Sequence, residues 1–187
     1  MTNLPIKNVE DLNDSISAGM RVEYIFFWGH TQSHGVVSKT CLSQWYDAAF
    51  TSQEDVYQTV EHFMMAEKAR LFGDIEKVGR ILAAETPRKA KAIGREIQNF
   101  DEVVWDQHKF EIVVRGNLEK FSQHHELKEY LLNTDHHILV EASPVDKVWG
   151  VGLAADNPLI QNPRTWKGQN LLGFALMEVR RNLKKTC

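Results

Sequence analysis

The stretch Val56 to Phe72, VYQTVEHFMMAEKARLF, constrains this chain more than any other, because it is strongly helical and places ionisable groups where a buried face should be apolar. At about 100° per residue, one continuous arc carries Tyr57, Val60, Met64, Met65, Leu71 and Phe72, and an arc of that composition faces a core. Near its middle stand Glu61 and Lys68, seven residues apart in sequence and so within about 20° of each other around the axis. They lie roughly 10 Å apart along it at about 1.5 Å of rise per residue, so the spacing does not by itself make them a pair. A carboxylate and an ammonium on an apolar face cost several kcal/mol unless they are paired, hydrogen-bonded or open to a wet cleft. Two readings follow. Either the groups line a cleft that receives a ligand, or each has a separate structural partner, with Lys68 reaching water past its neighbours.

Length and charge narrow the function classes. A chain of 187 residues can build one domain with a substantial core. Its 22 basic and 25 acidic side chains leave a net charge of −3, which gives no global reason to bind nucleic acid or a membrane surface, although a local basic cleft remains compatible. Cys41 and Cys187 form no metal or redox spacing, and no early apolar segment resembles a signal peptide or a spanning helix, so the expectation is a reducing cytoplasm. The pairs His124-His125 and His136-His137 are adjacent and do not share a helix face, and there is no HExxH or Cys/His framework, so no metal is expected. A GxSxG elbow and a Walker loop are absent, and WGVG lacks the third glycine of a dinucleotide fingerprint, so no cofactor is expected either.

Taken in order, residues 1–20 are polar with a short helix near Val9 to Ile16, ended by Gly19. Arg21 to Trp28 reads as a strand, followed by Gly29-His30 and a Gly/Ser-containing loop. Leu42 to Phe50, LSQWYDAAF, is dense in aromatic residues without a helical period, and its rings either wall a pocket or fill the core. Thr51 or Ser52, followed by Glu54 and Asp55, suggests that the central helix begins about there and ends near Gly73. Helical patterns follow over Ile75–Ala84, Pro87–Ile97 and Asp101 to about Phe121. In the second, Arg88, Lys89, Lys91 and Arg95 form either a solvated face or a phosphate contact. In the third, Arg115 falls among the apolar positions Val104, Phe110, Ile112, Val113 and Leu118. Glu126 to Asn133 reads as a helix, and His137 to Ala142 as a strand able to pair with the first. A long irregular segment then leads to a C-terminal helix capped by Asn170, with Leu171, Leu172, Ala175, Leu176, Val179 and Leu183 at helical spacing. The expected fold is a mainly α domain with a small β-sheet.

Three segments together suit a nucleotide-like ligand: Glu61 and Lys68, then Asp146 with Trp149, Gly150, Val151 and Gly152, then Trp166 to Asn170. Glycines let backbone N–H groups approach a ligand, tryptophans offer flat faces for a base, and a helix start carries partial positive charge. Equally, the tryptophans can be core residues and the glycines can serve turns.

The runs YQTVEHFMMAEKA, VEASPVDKVWGVGL and WKGQNLLGFALMEVRRNL, in this order, resemble the three signatures of the NADAR family, also called YbiA-like, and order and spacing match from about Tyr24 to Leu183. The resemblance implies a mainly α, single-domain YbiA-like fold over residues 21–187, with residues 1–20 as an N-terminal extension. It implies an N-glycosidase that cleaves the bond between ribose C1 and a base, acting on phosphorylated ribosylamino-pyrimidine intermediates of riboflavin synthesis. In other branches of the family the substrate is ADP-ribose on guanine of nucleic acid, and a non-catalytic ADP-ribose reader is a further alternative. By position the family's catalytic signature falls on Glu61, Lys68 and Asp146, and its substrate contacts on Trp149, Gly150, Gly152, Trp166, Gly168 and Asn170. Where the family commonly reads LSNF, this chain has Leu42-Ser43-Gln44-Trp45, so Trp45 is expected to shape the wall near the base differently. Breaking the bond passes through an oxocarbenium-like state, for which Glu61 or Asp146 supplies negative charge and activates water. Lys68 then donates a proton, holds phosphate or attacks C1 to form a Schiff base.

Overall fold

The computed structural model describes residues 6–31 and 35–185, so the expectation for Cys187 and part of the Gly/Ser-containing loop after His30 lie outside the described residues. In chain order the elements are α1 (Val9–Ser17), β1 (Tyr24–Phe27), β2 (Phe50–Ser52), β3 (Asp55–Tyr57), α2 (Val60–Leu71), α3 (Ile75–Leu82), α4 (Pro87–Gly94), α5 (Glu102–Gln123), α6 (His125–Asn133), β4 (Ile138–Glu141) and α7 (Leu171–Lys185). Single 3-10 turns cover Lys39–Leu42, Pro158–Gln161 and Pro163–Thr165. The chain divides into two compact units, one running to Gly29 and resuming at Tyr130, the other spanning His30–Glu129.

In the first unit β1 and β4 pair in parallel, with Tyr24 opposite Ile138 and Phe27 opposite Glu141, the pairing expected from their apolar runs. Leu172, Phe174, Ala175, Leu176 and Val179 of α7 are buried, as are Ile138, Leu139 and Val140 of β4. Helix α1 is capped by Asn8, whose side chain accepts the Asp11 N–H at 2.8 Å, and it buries Leu12.

The second unit contains the central helix, and its start differs from expectation. Residues 50–57 form an antiparallel hairpin, with Gln53 in the left-handed region at φ 54°, and α2 begins only at Val60 behind the N-cap Thr59. Cross-strand stacking decides the matter: the Phe50 and Tyr57 rings lie 5.7 Å apart. Asp55, read from sequence as a first-turn acid of the helix, instead binds Arg70 at 2.5 Å. Tyr57 therefore lies in a strand, outside the helical arc.

The arc itself is also wider than its apolar residues suggest. Eight of the twelve residues of α2 are buried, including His62 and Phe63, because α3, α4 and α5 all pack against this helix. The His62 imidazole bonds Thr59 Oγ1 at 2.8 Å and the Ala84 carbonyl at 3.0 Å, and burial lowers its pKa. Arg115 of α5 is exposed rather than internal and pairs with Glu67, while α5 buries Lys109 and Lys120 at positions no apolar pattern marks.

Candidate functional site

The first turn of α2 is tied to the segment before the hairpin: the Glu61 N–H donates to the Gln44 carbonyl at 3.0 Å. Glu61 is only 1% exposed, and its Oε1 lies 3.9 Å from Lys91 Nζ on α4. Lys91 Nζ sits 5.8 Å from the centre of the Trp45 ring, which in turn lies 5.6 Å from His30. A buried carboxylate, an ammonium and an aromatic face thus meet at one place in this unit.

Lys68 takes a different partner. Its Nζ donates to the Gly94 carbonyl at 2.9 Å and lies 4.2 Å from the Phe100 ring and 5.7 Å from Trp105. Burial lowers its pKa, and the positive charge of Arg95 adds to the effect. Glu61 and Lys68 therefore do not pair with each other. Their contacts at residues 91 and 94 of α4 are three residues apart, about one turn, so both groups converge on one stretch of that helix.

The segment that carries Gln44 and Trp45 is held from behind by Lys120, which donates to the carbonyls of Cys41 at 2.6 Å and Ser43 at 3.2 Å. Its ammonium is fully buried, with the Phe121 ring 4.7 Å away, and desolvation pulls its pKa down to about 8. The ammonium thus ties down the end of the 3-10 turn and the residue just after it, adding a donor for carbonyls at the point where the turn stops.

In the other unit, the two glycine-bearing segments are joined to each other. Lys167 N–H donates to Val151 O at 2.9 Å, Gln169 N–H to Lys147 O at 2.9 Å and Asn170 N–H to Gly150 O at 3.1 Å. Val151 N–H reaches Glu141 O of β4 at 3.0 Å. A Cβ on Gly168 would stand 2.3 Å from Gly150 O and 2.7 Å from Lys147 Cα, so this glycine permits contact of backbone with backbone. Asp146 Oδ1 accepts the N–H groups of Val148 at 2.9 Å and Trp149 at 2.8 Å, which organises the turn before Gly150. Gly152 completes it at φ +67°, its N–H bound to Asp146 O at 3.1 Å.

The remaining expected ligand contacts in this unit have internal partners too. Trp149 is 9% exposed. Trp166 Nε1 donates to the Ile160 carbonyl at 2.7 Å, and its ring meets Tyr24 edge-on at 6.2 Å. The Asn170 side chain, fully buried, accepts the Glu141 N–H at 3.0 Å and donates to the Leu139 carbonyl at 2.9 Å. It braces β4 with its amide, at φ 54°, while its carbonyl starts α7 by accepting the Phe174 N–H at 3.2 Å.

The NADAR domain profile matches residues 26–184, most of the chain. The chain belongs to the NADAR family. An N-glycosidase of Acanthamoeba polyphaga mimivirus is 40% identical over 163 residues, covering 84% of this chain and 95% of that protein. The chloroplastic riboflavin biosynthesis protein PYRR of Zea mays is 34% identical over 140 residues, covering 70% of this chain and 20% of that longer protein. The solution structure of the Escherichia coli protein YbiA matches with a TM-score of 0.71 at 26% identity, over 89% of this chain and 88% of that one. The fold is accordingly mainly α with small sheets and YbiA-like.

In this NADAR protein Glu61, Lys68 and Trp45 share the unit of residues 30–129, whereas Asp146, Trp149, Gly150, Gly152, Trp166, Gly168 and Asn170 share the other. Lys91, Gln44 and Lys120 join the first group and were not singled out as site residues by sequence. Lys91 was one of four cations on a face that also reads as solvated, and only its distance to Glu61 separates it from Arg88, Lys89 and Arg95. Among the described residues no group of three or more His, Cys, Asp or Glu is placed to hold a metal ion, and no helix is long and apolar enough to cross a membrane.

Proposed function

We propose that this NADAR protein is a hydrolase of N-glycosyl bonds whose substrate is a phosphorylated ribosylamino-pyrimidine of the kind formed in riboflavin synthesis. The observation that carries the reading is the buried Glu61 carboxylate with Lys91 at 3.9 Å and the Trp45 ring beside that ammonium. An oxocarbenium-like ribose needs a fixed negative charge, and a base needs a flat face. The mimivirus relative, an N-glycosidase, and the maize relative, a riboflavin biosynthesis protein, support the bond type and the substrate class.

In the proposed reaction Glu61 stabilises positive charge at C1 and orients water, whose oxygen forms the new bond to C1 while one of its protons passes to the Glu61 carboxylate. The electron pair of the breaking C1–N bond goes to the departing nitrogen, which takes its proton from the Lys68 ammonium, an acid strengthened by desolvation. Lys91 holds the 5′-phosphate. Asp146, in the other unit, sets the turn that carries Trp149. Trp45 is the proposed stacking surface for the base; in the other unit Gly150, Gly152, Gly168 and Asn170 set the backbone that carries Trp149 and Trp166.

Incubating the protein with a ribosylaminopyrimidine 5′-phosphate and following the freed base by chromatography tests the reading. Release that is lost in Glu61→Gln supports it, and binding without release in the wild type replaces it with a non-catalytic reader. The exposed Arg88, Lys89 and Arg95 around Lys91 favour one second reading, a substrate with more phosphate such as ADP-ribosyl-guanine in nucleic acid. Faster release of guanine-linked ADP-ribose than of the aminopyrimidine selects it.

A further inference from the structure

Gln44 carries an uncommon burden. The residue is 5% exposed, and its side-chain Oε1 is enclosed without a hydrogen-bond partner among the described residues. A buried amide oxygen left without a donor lowers stability, and an apolar side chain of the same length would remove that cost. The backbone around it is held at three points: its own carbonyl accepts the Glu61 N–H, Lys120 holds the carbonyl of Ser43, and the Trp45 N–H donates to Ser43 Oγ at 3.1 Å. The side chain is therefore rooted in a fixed segment, one residue from the aromatic face of Trp45 and hydrogen-bonded through its backbone to Glu61. An acceptor that the fold leaves unfilled at such a place can take an arriving donor once its side-chain amide turns toward the Trp45 ring.

We propose that Gln44 is a specificity-determining residue, its Oε1 accepting a hydrogen bond from a ring amino group of the substrate base while Trp45 covers the face of the ring. The inference rests on the glycosidase reading above and deepens it. It defines the substrate class as aminated bases, because a base without the donor leaves the buried oxygen unpaired in the complex as well. Gln44 takes no part in bond breaking; it reads the base.

Two compounds test this with the full chain: a ribosylaminopyrimidine 5′-phosphate bearing free ring amino groups, and the same compound with hydrogen in place of each. The wild type is expected to favour the aminated compound by about tenfold or more in kcat/KM. Gln44→Met is expected to lose about tenfold on the aminated compound and less than about twofold on the other, and to melt at the same or a higher temperature than the wild type. Equal losses on both compounds, or no preference in the wild type, overturn the inference and leave the glycosidase reading standing. A Gln44→Met protein that melts lower or does not fold overturns it as well, because the amide is then part of the free fold. Wild-type protein inert on both compounds overturns the glycosidase reading and the inference together.

Discussion

Lys120 Nζ, with no exposed surface, donates to the main-chain carbonyl of Cys41 at 2.6 Å. The pair makes stability depend on pH in a defined direction. Unfolded, the Lys120 amine holds its proton up to about 10.5; folded, desolvation lets it go at about 8. Between those values the unfolded chain binds more protons, so stability rises with pH. Cys41 opposes this: burial pushes its thiol from 9.0 up to about 11, so above pH 9 the unfolded chain loses that proton first and stability falls. The clean window is pH 8 to 9. Denaturant unfolding should show stability rising there by about 1 kcal/mol, and Lys120→Met should abolish the rise. A rise that persists in the variant assigns the effect to another group.

Glu61→Gln keeps the shape of the side chain and removes its charge beside Lys91. The expected result is a kcat lowered by about 10² to 10³ with KM changed by less than about threefold, measured on freed base. A loss confined to KM moves Glu61 from catalysis to binding.

Lys68 acting as an acid must be protonated in the complex, so kcat/KM should fall as pH rises through its lowered pKa, and Lys68→Met should remove that alkaline limb together with most of the rate. Borohydride added during turnover should trap no sugar on the protein. A trapped adduct that disappears in Lys68→Ala would establish the covalent route instead.

Two glycines should respond to alanine in opposite directions. Gly168→Ala places a Cβ 2.3 Å from Gly150 O, between two backbones that have no flexible side chain to yield, and should cost about 3 kcal/mol or more. Gly79, in α3, has nothing within 4 Å of its ideal Cβ, so Gly79→Ala should gain about 0.5 to 1 kcal/mol by helix propensity and reduced unfolded-state entropy. Thermal melts of the two variants decide both.

Asn170→Ala strands the Glu141 N–H and the Leu139 carbonyl that its amide now satisfies. A loss of about 2 to 4 kcal/mol is expected from two orphaned buried groups. Unchanged melting with lost activity would return Asn170 to direct substrate binding.

Long periodic segments were readable from the chain alone. The helices from Ile75 onward, the strand at Ile138 and its pairing with the first strand all lie near their expected positions, because periodicity and capping residues are local signals. The hairpin at 50–57 was not, since acids after a Thr-Ser pair fit a helix start as well as a turn, and the stacked Phe50 and Tyr57 are seven residues apart. Departure from the LSNF pattern at Gln44 and Trp45 marked that segment as unusual, yet the enclosed amide oxygen is visible only once the neighbours are in place.

By itself the sequence determined the family, the helical character and the presence of an acid and an amine on the inward side of α2, since each of these depends on residue types at short or ordered spacing. Tertiary structure alone decided that Glu61 faces Lys91, that Lys68 binds the Gly94 carbonyl, and that the glycine segments bind each other. A helical wheel gives the direction of a side chain but not what waits there. Long flexible side chains and backbone amides choose partners by distances that arise only when remote segments pack.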